Sequence, residues 1–382
     1  MKYAIKLLTQ SDLTLFASYY RRNGTSRQKG INLNGDVLAG ELFPSLSRVV
    51  TGNVERAVTL DIYGPGIAPL LRQMRKIIKP EGSKNWRLNG KLIETPRAEP
   101  ARFSALAVGD VAVLGFDGAD LPETVSMVVL SQGSLADVQT LQAIRQELGL
   151  IPRTRSMVSL SLQQLQIFAA KAPQDHPMQL LLPDAARSED LTVAAEGDER
   201  ATERLYQRAR SGATRPVSAA ELERARTRAR EVGRAGEVLF NRHLERRLAL
   251  GEIDDFEWAA DINAVSPFDF SVSTTEGTVE RVDVKSTTGK FATPFHISSA
   301  ELEVATLDLD FRVARVFGVD GPGGARLKIS DGIRELAAEV RAALRAMPTG
   351  VSVASVQIDP GRLAWGAEVS LPVSDDDDDE ES

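Results

Sequence analysis

The tripeptide Asp283-Val284-Lys285 sets a carboxylate and an ammonium two residues apart in the alternating run Val279-Glu280-Arg281-Val282-Asp283-Val284-Lys285. Side chains on a strand repeat every two residues. Val282 and Val284 are therefore expected on a buried face, with Asp283 and Lys285 side by side on the other, about 7 Å apart along the strand. Such a pair can hold a metal ion and steer a water molecule. Lys285 is also unusual by type, because between Lys171 and Lys285 every other Lys or Arg is arginine. Arginine suits forked contacts to carboxylate and phosphate, whereas lysine is a compact point charge whose pKa shifts readily. An isolated Asp-X-Lys is most often an edge-strand salt bridge on a solvated face, so its meaning depends on its partners.

Two further acids are candidates. In Ser266-Pro267-Phe268-Asp269-Phe270, the residues Phe268, Phe270 and Val272 alternate as the buried side of a strand and leave Asp269 on the other. A turn at Gly277 would return the chain as a hairpin and bring Asp269 beside Asp283, since facing residues on paired strands sit about 5 Å apart. Two carboxylates that close repel unless a cation lies between them or one is protonated. Mg²⁺ commonly uses one or two carboxylates plus water and phosphate. Lys285 could then position or activate an attacking water and stabilise charge on the phosphate. Glu237 lies in Gly233-Arg234-Ala235-Gly236-Glu237, inside a helix whose two glycines each cost roughly 1 kcal/mol relative to alanine. That cost predicts a close approach by a backbone, strand or ligand; the plainer reading of Glu237 is a surface acid in a helix rich in Glu and Arg.

These residues need elements to position them. The 382 residues suffice for two or three domains, and 42% hydrophobic with 26% charged residues is a globular composition. The absence of cysteine excludes disulfides, thiolate metal sites and cysteine nucleophiles, and fits a reducing cytoplasm. Three histidines make a histidine-rich zinc centre a poor fit, which leaves hard cations held by oxygen. No apolar run reaches membrane-spanning length, and the start Met1-Lys2-Tyr3-Ala4-Ile5-Lys6 does not resemble a signal peptide. The net charge of −7 is matched by seven consecutive acids, Asp375 to Glu381. Residues 1–102 hold 17 basic against 8 acidic residues, and residues 201–250 hold 12 against 6. Two basic zones and an acidic tail suit a polyanion-binding protein, although scattered solvated charge gives the same counts.

Short apolar runs separated by turn signals predict a β-barrel or sandwich over roughly the first 130 residues, with a short basic helix from Leu70 to Ile78. Helices follow from Ser134 and from about Leu160. Residues 183–200 carry acids and no periodicity and read as a linker. A capping box at Ser218-Ala219-Ala220-Glu221 opens a helix to about Leu250, with Val232, Gly236, Phe240 and Leu244 on its buried face. Strands are expected at Glu257 to Ile262, Phe268 to Ser273, Val279 to Ser286 and Phe295 to Ile297. A second capping box, Ser298-Ser299-Ala300-Glu301, starts another helix, and Glu301 is assigned to that cap alone. Strands at Phe311 to Val319 and Ala325 to Ile329 and a helix from Asp331 to Met347 complete a mixed sheet flanked by helices.

Helical Glu, Pro-Phe-Asp and then Asp-X-Lys is an order that resembles the PD-(D/E)XK nuclease superfamily. More closely, Gly233 to Glu237, Ser266 to Phe270, Val282 to Gly289 and Pro294 to Leu302 resemble the nuclease-like domain named after the plant NO VEIN proteins, a Mrr-like domain also found in bacterial restriction and defence proteins. The resemblance covers about residues 225–340. It implies Asp269 and Asp283 as metal ligands, Lys285 as the catalytic lysine and Glu237 as the helix-borne acid, with Mg²⁺ as cofactor and Mn²⁺ as a substitute.

In the first domain, Ile5 to Asp12, Arg27 to Ile31, Phe43-Pro44, Asn85 to Leu88 and Leu106 to Val111 are similar to the pseudobarrel DNA-recognition domain of type IIE restriction enzymes and plant transcription factors. The loop from Tyr19 to Lys29 departs from the shorter family form. Its Arg21, Arg22, Asn23, Arg27, Gln28 and Lys29 are candidate DNA contacts, because arginine pairs with guanine, asparagine and glutamine pair with adenine, and lysine anchors phosphate.

The expected organisation is a multidomain α+β chain. A DNA-recognition pseudobarrel spans 1–131, a helical connector and acidic linker 132–217, a PD-(D/E)XK nuclease domain 218–373, and a disordered acidic tail 374–382. The expected function is that of a cytoplasmic, Mg²⁺-dependent, site-specific restriction endonuclease acting on double-stranded DNA in defence against foreign DNA. It would work as a homodimer or DNA-assembled pair, with a cognate DNA methyltransferase as companion and no membrane partner. The alternatives are a modification-dependent nuclease and a non-catalytic DNA-binding component of a defence complex.

Overall fold

The computed structural model of the protein describes residues 1–23, 29–49, 55–148, 156–321 and 324–371. It is a mixed α+β chain that divides into two compact units. The first comprises Met1–Ala185 and Tyr206–Glu221, and the second Ala186–Leu205 and Leu222–Ser382.

In chain order the first unit contains β1 (Lys2–Leu7), α1 (Gln10–Leu13), α2 (Ala17–Asn23), β2 (Gly30–Leu33), α3 (Leu46–Val49), β3 (Glu55–Tyr63), β4 (Leu71–Ile78) and β5 (Trp86–Asn89). β6 (Val111–Asp117), β7 (Thr124–Leu130), α4 (Val138–Leu148), β8 (Met157–Leu160) and α5 (Leu162–Ala169) follow. Its eight strands form one sheet in the order β2-β5-β4-β3-β7-β6-β1-β8, close to a barrel. β6 and β7 are buried on both faces, which explains their near-continuous apolar sequences. Ala112, Leu114, Phe116, Val125 and Met127 join an inner cluster with Phe16, Phe43, Trp86 and Phe103. Val111, Val113, Val128 and Leu130 face a second cluster with Leu141 and Ile144 of α4 and Leu165 and Phe168 of α5.

Two expectations change here. Leu71–Ile78 is a strand rather than a basic helix. It pairs with β3 over eight residues, and its alternation buries Arg75 and Ile77 while exposing Arg72 and Met74. Nor does the segment after residue 131 act as a connector. β8 pairs with β1, and α4 and α5 cover the sheet's second face, so the first unit continues to Ala185.

The expected linker over 183–200 is helical. α6 (Ala185–Ala195) and α7 (Glu199–Arg210) flank a turn where Gly197 takes φ +105° and Asp198 accepts from the Ala201 backbone N–H at 2.6 Å. Its acids are used as helix partners, as in the Arg204–Asp190 contact at 2.6 Å, which accounts for the missing apolar period.

The second unit continues with α8 (Ala219–Ala249), β9 (Ile253–Glu257), α9 (Ala259–Ile262), β10 (Phe270–Thr274), β11 (Val279–Thr287), β12 (Phe295–Ser298) and α10 (Ser299–Leu307). β13 (Phe311–Phe317), β14 (Ala325–Ile329), α11 (Arg334–Arg345), β15 (Ser355–Ile358) and β16 (Val369–Leu371) follow. Six strands form a mixed sheet in the order β16-β14-β13-β11-β10-β9, while β12 and β15 pair separately. β11 runs parallel to β13 and antiparallel to β10, so it is an interior strand. The strand expected from Glu257 to Ile262 lies earlier, and Ala259–Ile262 is a single helical turn.

Val232, Phe240 and Leu244 of α8 pack on Val282, Val284, Phe270 and Val272 on one face of the sheet. Leu302 and Ala305 of α10 pack on Phe311 and Val313 on the other, together with Ile297 of the separate β12. Phe268 departs from the alternation read from its sequence. It precedes β10 and packs against the α10 cluster rather than beside Phe270.

The two helical glycines differ. A Cβ at Gly236 would lie 1.7 Å from Ser286 Oγ of β11, whereas one at Gly233 would meet nothing within 4 Å. Gly236→Ala is therefore expected to destabilise by about 1–3 kcal/mol through overpacking, despite the better helix propensity of alanine. Gly233→Ala should stabilise by about 0.5–1 kcal/mol. Urea unfolding of the two variants checks both signs, and equal effects would refute the close-approach explanation.

Candidate functional site

The β10–β11 hairpin brings Asp269 and Asp283 together. Phe270 pairs with Val282, so the preceding Asp269 falls opposite Asp283. The Asp269 N–H donates to Val282 O at 3.0 Å, and its carboxylate folds over β11 to accept from the Val284 N–H at 2.7 Å. Lys285 lies on the same face, with Nζ 2.8 Å from Asp283 Oδ2. This face is not solvated, since Asp283 is only 3% exposed. The edge-strand salt bridge is thereby excluded by both burial and strand order.

Glu301 is the residue that sequence reasoning set aside. It completes the α10 capping box, with Ser298 Oγ accepting from the Glu301 N–H and Glu301 Oε2 accepting from the Ser298 N–H. The same carboxylate accepts from Lys285 Nζ, with both oxygens at 3.2 Å. Its cap role was legible because it is local. Its second role depends on α10 docking over β11, which no local pattern encodes.

Three carboxylates thus gather near one ammonium. Burial pushes Asp283 well above the usual carboxylate range. Lys285 opposes this, and Glu301 and Asp269 add to it. Burial likewise raises Asp269, against the Val284 N–H and Lys285. For Lys285, burial alone would lower the pKa, but Asp283 and Glu301 outweigh it and hold the ammonium above its ordinary value. Lys285 is therefore a fixed positive charge and hydrogen-bond donor here, not a proton acceptor at neutral pH.

Glu237 stands apart from that trio. Its carboxylate pairs with Arg234 at 3.1 Å, and Arg234 also reaches Asp261 at 2.6 Å. The Arg234 guanidinium lies 4.2 Å over Trp258, which stacks on Phe270. Burial first, then the Asp269 charge, raises the Glu237 pKa. Asp269 is thus electrically felt at Glu237, while the hydrogen bonds of Glu237 go to Arg234.

Arg315 was also missed. It aligns with Lys285 across the parallel β11–β13 pair and donates to Lys285 O at 3.1 Å and Thr293 O at 2.8 Å. A basic residue inside the apolar run Val313-Ala314-Arg315-Val316 was the available signal. Glu196, at the end of α6, accepts from Thr287 Oγ1 at 3.4 Å. Burial raises its pKa to about 7, with Arg315 acting in the opposite direction.

Among the described residues, no group of three or more His, Cys, Asp or Glu is arranged to hold a metal ion. The two facing carboxylates nevertheless suit a hard cation whose remaining ligands are water and phosphate, because their crowding is relieved by positive charge.

The candidate DNA contacts belong to the first unit. Arg21, Arg22 and Asn23 lie on α2, not on a loop. Arg21 pairs with Glu94 at 2.7 Å, Arg22 donates to Ser104 O at 2.8 Å, and Asn23 donates to Tyr19 O at 3.4 Å. Lys29 lies 5.9 Å from the Tyr20 ring centre. Arg27 and Gln28, like the tail 374–382, fall outside the described residues. No helix among the described residues is long and apolar enough to cross a membrane.

The chain matches no protein-family model and no curated protein.

The Glu196 shift has a pH signature. Its folded pKa of about 7 exceeds the ordinary 4.5, so the folded state holds this proton more tightly. The resulting stability is fully present below about 4.5 and is lost as pH rises through about 7. Glu196→Gln should therefore gain stability over the parent at about pH 8, on the order of 1–3 kcal/mol, and far less at about pH 5. Denaturant midpoints at both pH values check this; a pH-independent difference would contradict it.

Proposed function

We propose that this chain is a Mg²⁺-dependent, site-specific endonuclease of PD-(D/E)XK type that hydrolyses phosphodiester bonds of double-stranded DNA. The observation that carries the reading is the register of β10 and β11, which sets Asp269 opposite Asp283 with Lys285 on the same face. Asp269 and Asp283 would hold the ion. When bound, Mg²⁺ would supply positive charge to the scissile phosphate and make a bound water more acidic. Lys285 donates a hydrogen bond from its ammonium to a non-bridging phosphate oxygen as water adds to phosphorus, giving up a proton to solvent, and the bridging P–O bond breaks with the leaving oxygen taking a proton from solvent. Asp283 and Glu301 keep that ammonium charged and aimed. Glu237, bordering Asp269 on the α8 side, adds negative charge that favours a cation there.

The basic first unit suits DNA recognition. Homodimeric action, restriction of foreign DNA with a cognate methyltransferase, and a cytoplasmic setting belong to the same proposal. A non-catalytic DNA-binding component is the second reading, favoured by the absence of a three-ligand metal group among the described residues.

Lys285→Ala and Asp283→Asn should each lower plasmid cleavage in Mg²⁺ by at least about 10²-fold while leaving duplex binding nearly intact. Asp283→Asn keeps the side-chain shape, and circular dichroism of both variants separates chemistry from unfolding. A Lys285→Ala protein that cuts at the parental rate refutes the mechanism. Calorimetric titration with Mn²⁺ should give binding heat for the parent and little for Asp283→Asn; no heat with either protein would favour the non-catalytic reading.

A further inference from the structure

A cavity of about 620 Å³ opens beside Lys285 at the end of β11. Its walls include Arg226 and Arg230 of α8, Glu196 after α6, Ser286 of β11, His296 of β12 and Arg315 of β13. Three of these side chains carry buried polar atoms without hydrogen-bond partners, namely Ser286 Oγ, His296 Nε2 and Arg315 Nε. A space of this size bordered by unpaired polar atoms is suited to water or a ligand, unlike a purely apolar void.

The chemistry of the walls selects the ligand. Arg315 is 1% exposed and donates only to carbonyl oxygens, and among the described residues it forms no ion pair with a carboxylate. Buried charge normally demands a counter-charge. Glu196, the acid whose charge acts on Arg315, has its own pKa raised by burial to about 7. His296 Nδ1 can accept from Ser355 Oγ at 3.5 Å, a tautomer that leaves the proton on Nε2. Gly197 lies so close that a Cβ there would sit 3.1 Å from that nitrogen, and only a glycine readily takes its φ of +105°. Arg226 and Arg230 lie one helical turn apart and share a single acid, Glu223, at 3.8 and 3.0 Å. The unused groups can therefore each donate an N–H or O–H, and, with Lys285 already engaged by Asp283 and Glu301, the cations Arg226, Arg230 and Arg315 still outnumber the acids Glu196 and Glu223. Phosphate oxygens accept only, and guanidinium forks match them.

We propose that this cavity is a phosphate subsite that seats a backbone phosphodiester of the nucleic acid adjoining the one presented to Lys285. The assignment rests on the nuclease reading and extends it to how the strand is held. Arg226 and Arg230 would meet the phosphate from α8, and His296 and Arg315 from the sheet side.

The test uses the full-length protein with Arg226→Ala/Arg230→Ala and, separately, His296→Gln. Both arginines are more than half exposed, so their removal spares the fold. Affinity for a short duplex is measured across a salt series in Ca²⁺, beside calorimetric binding of inorganic pyrophosphate and plasmid cleavage in Mg²⁺. The double variant should bind duplex about tenfold more weakly, with its log–log salt slope smaller by about 0.9 for the one phosphate no longer neutralised. His296→Gln should weaken duplex binding less and leave the slope unchanged. Parental affinity and slope in both variants, with the parent cutting plasmid, overturn the subsite and leave the nuclease reading standing. A parent that never cuts DNA but binds duplex through these arginines supports the subsite and sinks the nuclease reading. Pyrophosphate binding lost in the double variant with duplex affinity unchanged overturns the backbone assignment in favour of a free phosphate ligand.

Discussion

The second unit is organised around a charge imbalance. Asp269, Asp283 and Glu301 converge on one ammonium, with Asp283 buried at the centre and the others partly covered. Taking one carboxylate out of water costs several kcal/mol, and one lysine does not balance three acids. The fold tolerates this through directional bonds. Asp269 accepts from the Val284 N–H, Glu301 accepts from the Ser298 N–H, and Lys285 bridges Asp283 and Glu301. The remaining deficit appears at Asp269 and Asp283, whose pKa values burial raises. A polypeptide seeking only stability would place apolar residues on that face of β11, as it does on the opposite face with Val282 and Val284. The retained imbalance is what makes the face suited to a cation.

The sequence made the hairpin legible for a local reason. Alternation and a glycine turn fix strand register, and register fixes which side chains are neighbours, so Asp269 beside Asp283 followed directly. The Ser218 cap of α8 and the capping box before α10 were legible on the same ground, as was the tight approach at Gly236. Glu301 and Arg315 were not, because their roles arise only when β11 and β13 align in parallel and α10 covers them. Such pairings join residues distant in sequence and leave no period behind. Leu71–Ile78 misled because Arg72, Arg75 and Lys76 hide the alternation, and Arg75 is buried where an apolar residue was expected. Residues 183–200 misled because helices held by acid–arginine contacts show little apolar rhythm.

Charge is distributed differently on the two sides of Lys285. Towards Asp269 the acids predominate, with Glu237 contributing from α8 although Arg234 engages it. Towards β13 and α8 the cations predominate, with Arg315 holding the Lys285 carbonyl while Asp283 and Glu301 hold its ammonium. Lys285 is thereby fixed at both ends, by main chain and by side chain. A side chain so constrained loses little further freedom when it meets a ligand, which favours a preorganised contact over an adaptive one.

The capping box of α10 links this site to the order in which the chain acquires structure. Glu301 both closes the first turn of its helix and receives Lys285 from a strand sixteen residues earlier. The hairpin alone carries two acids and a lysine without that brace, and the helix alone carries a cap without a charge to hold. The complete constellation exists only after the crossover from β11 to β13 has closed. A partly unfolded chain would present the same residues in an unconstrained arrangement, so this constellation is gained and lost with tertiary assembly.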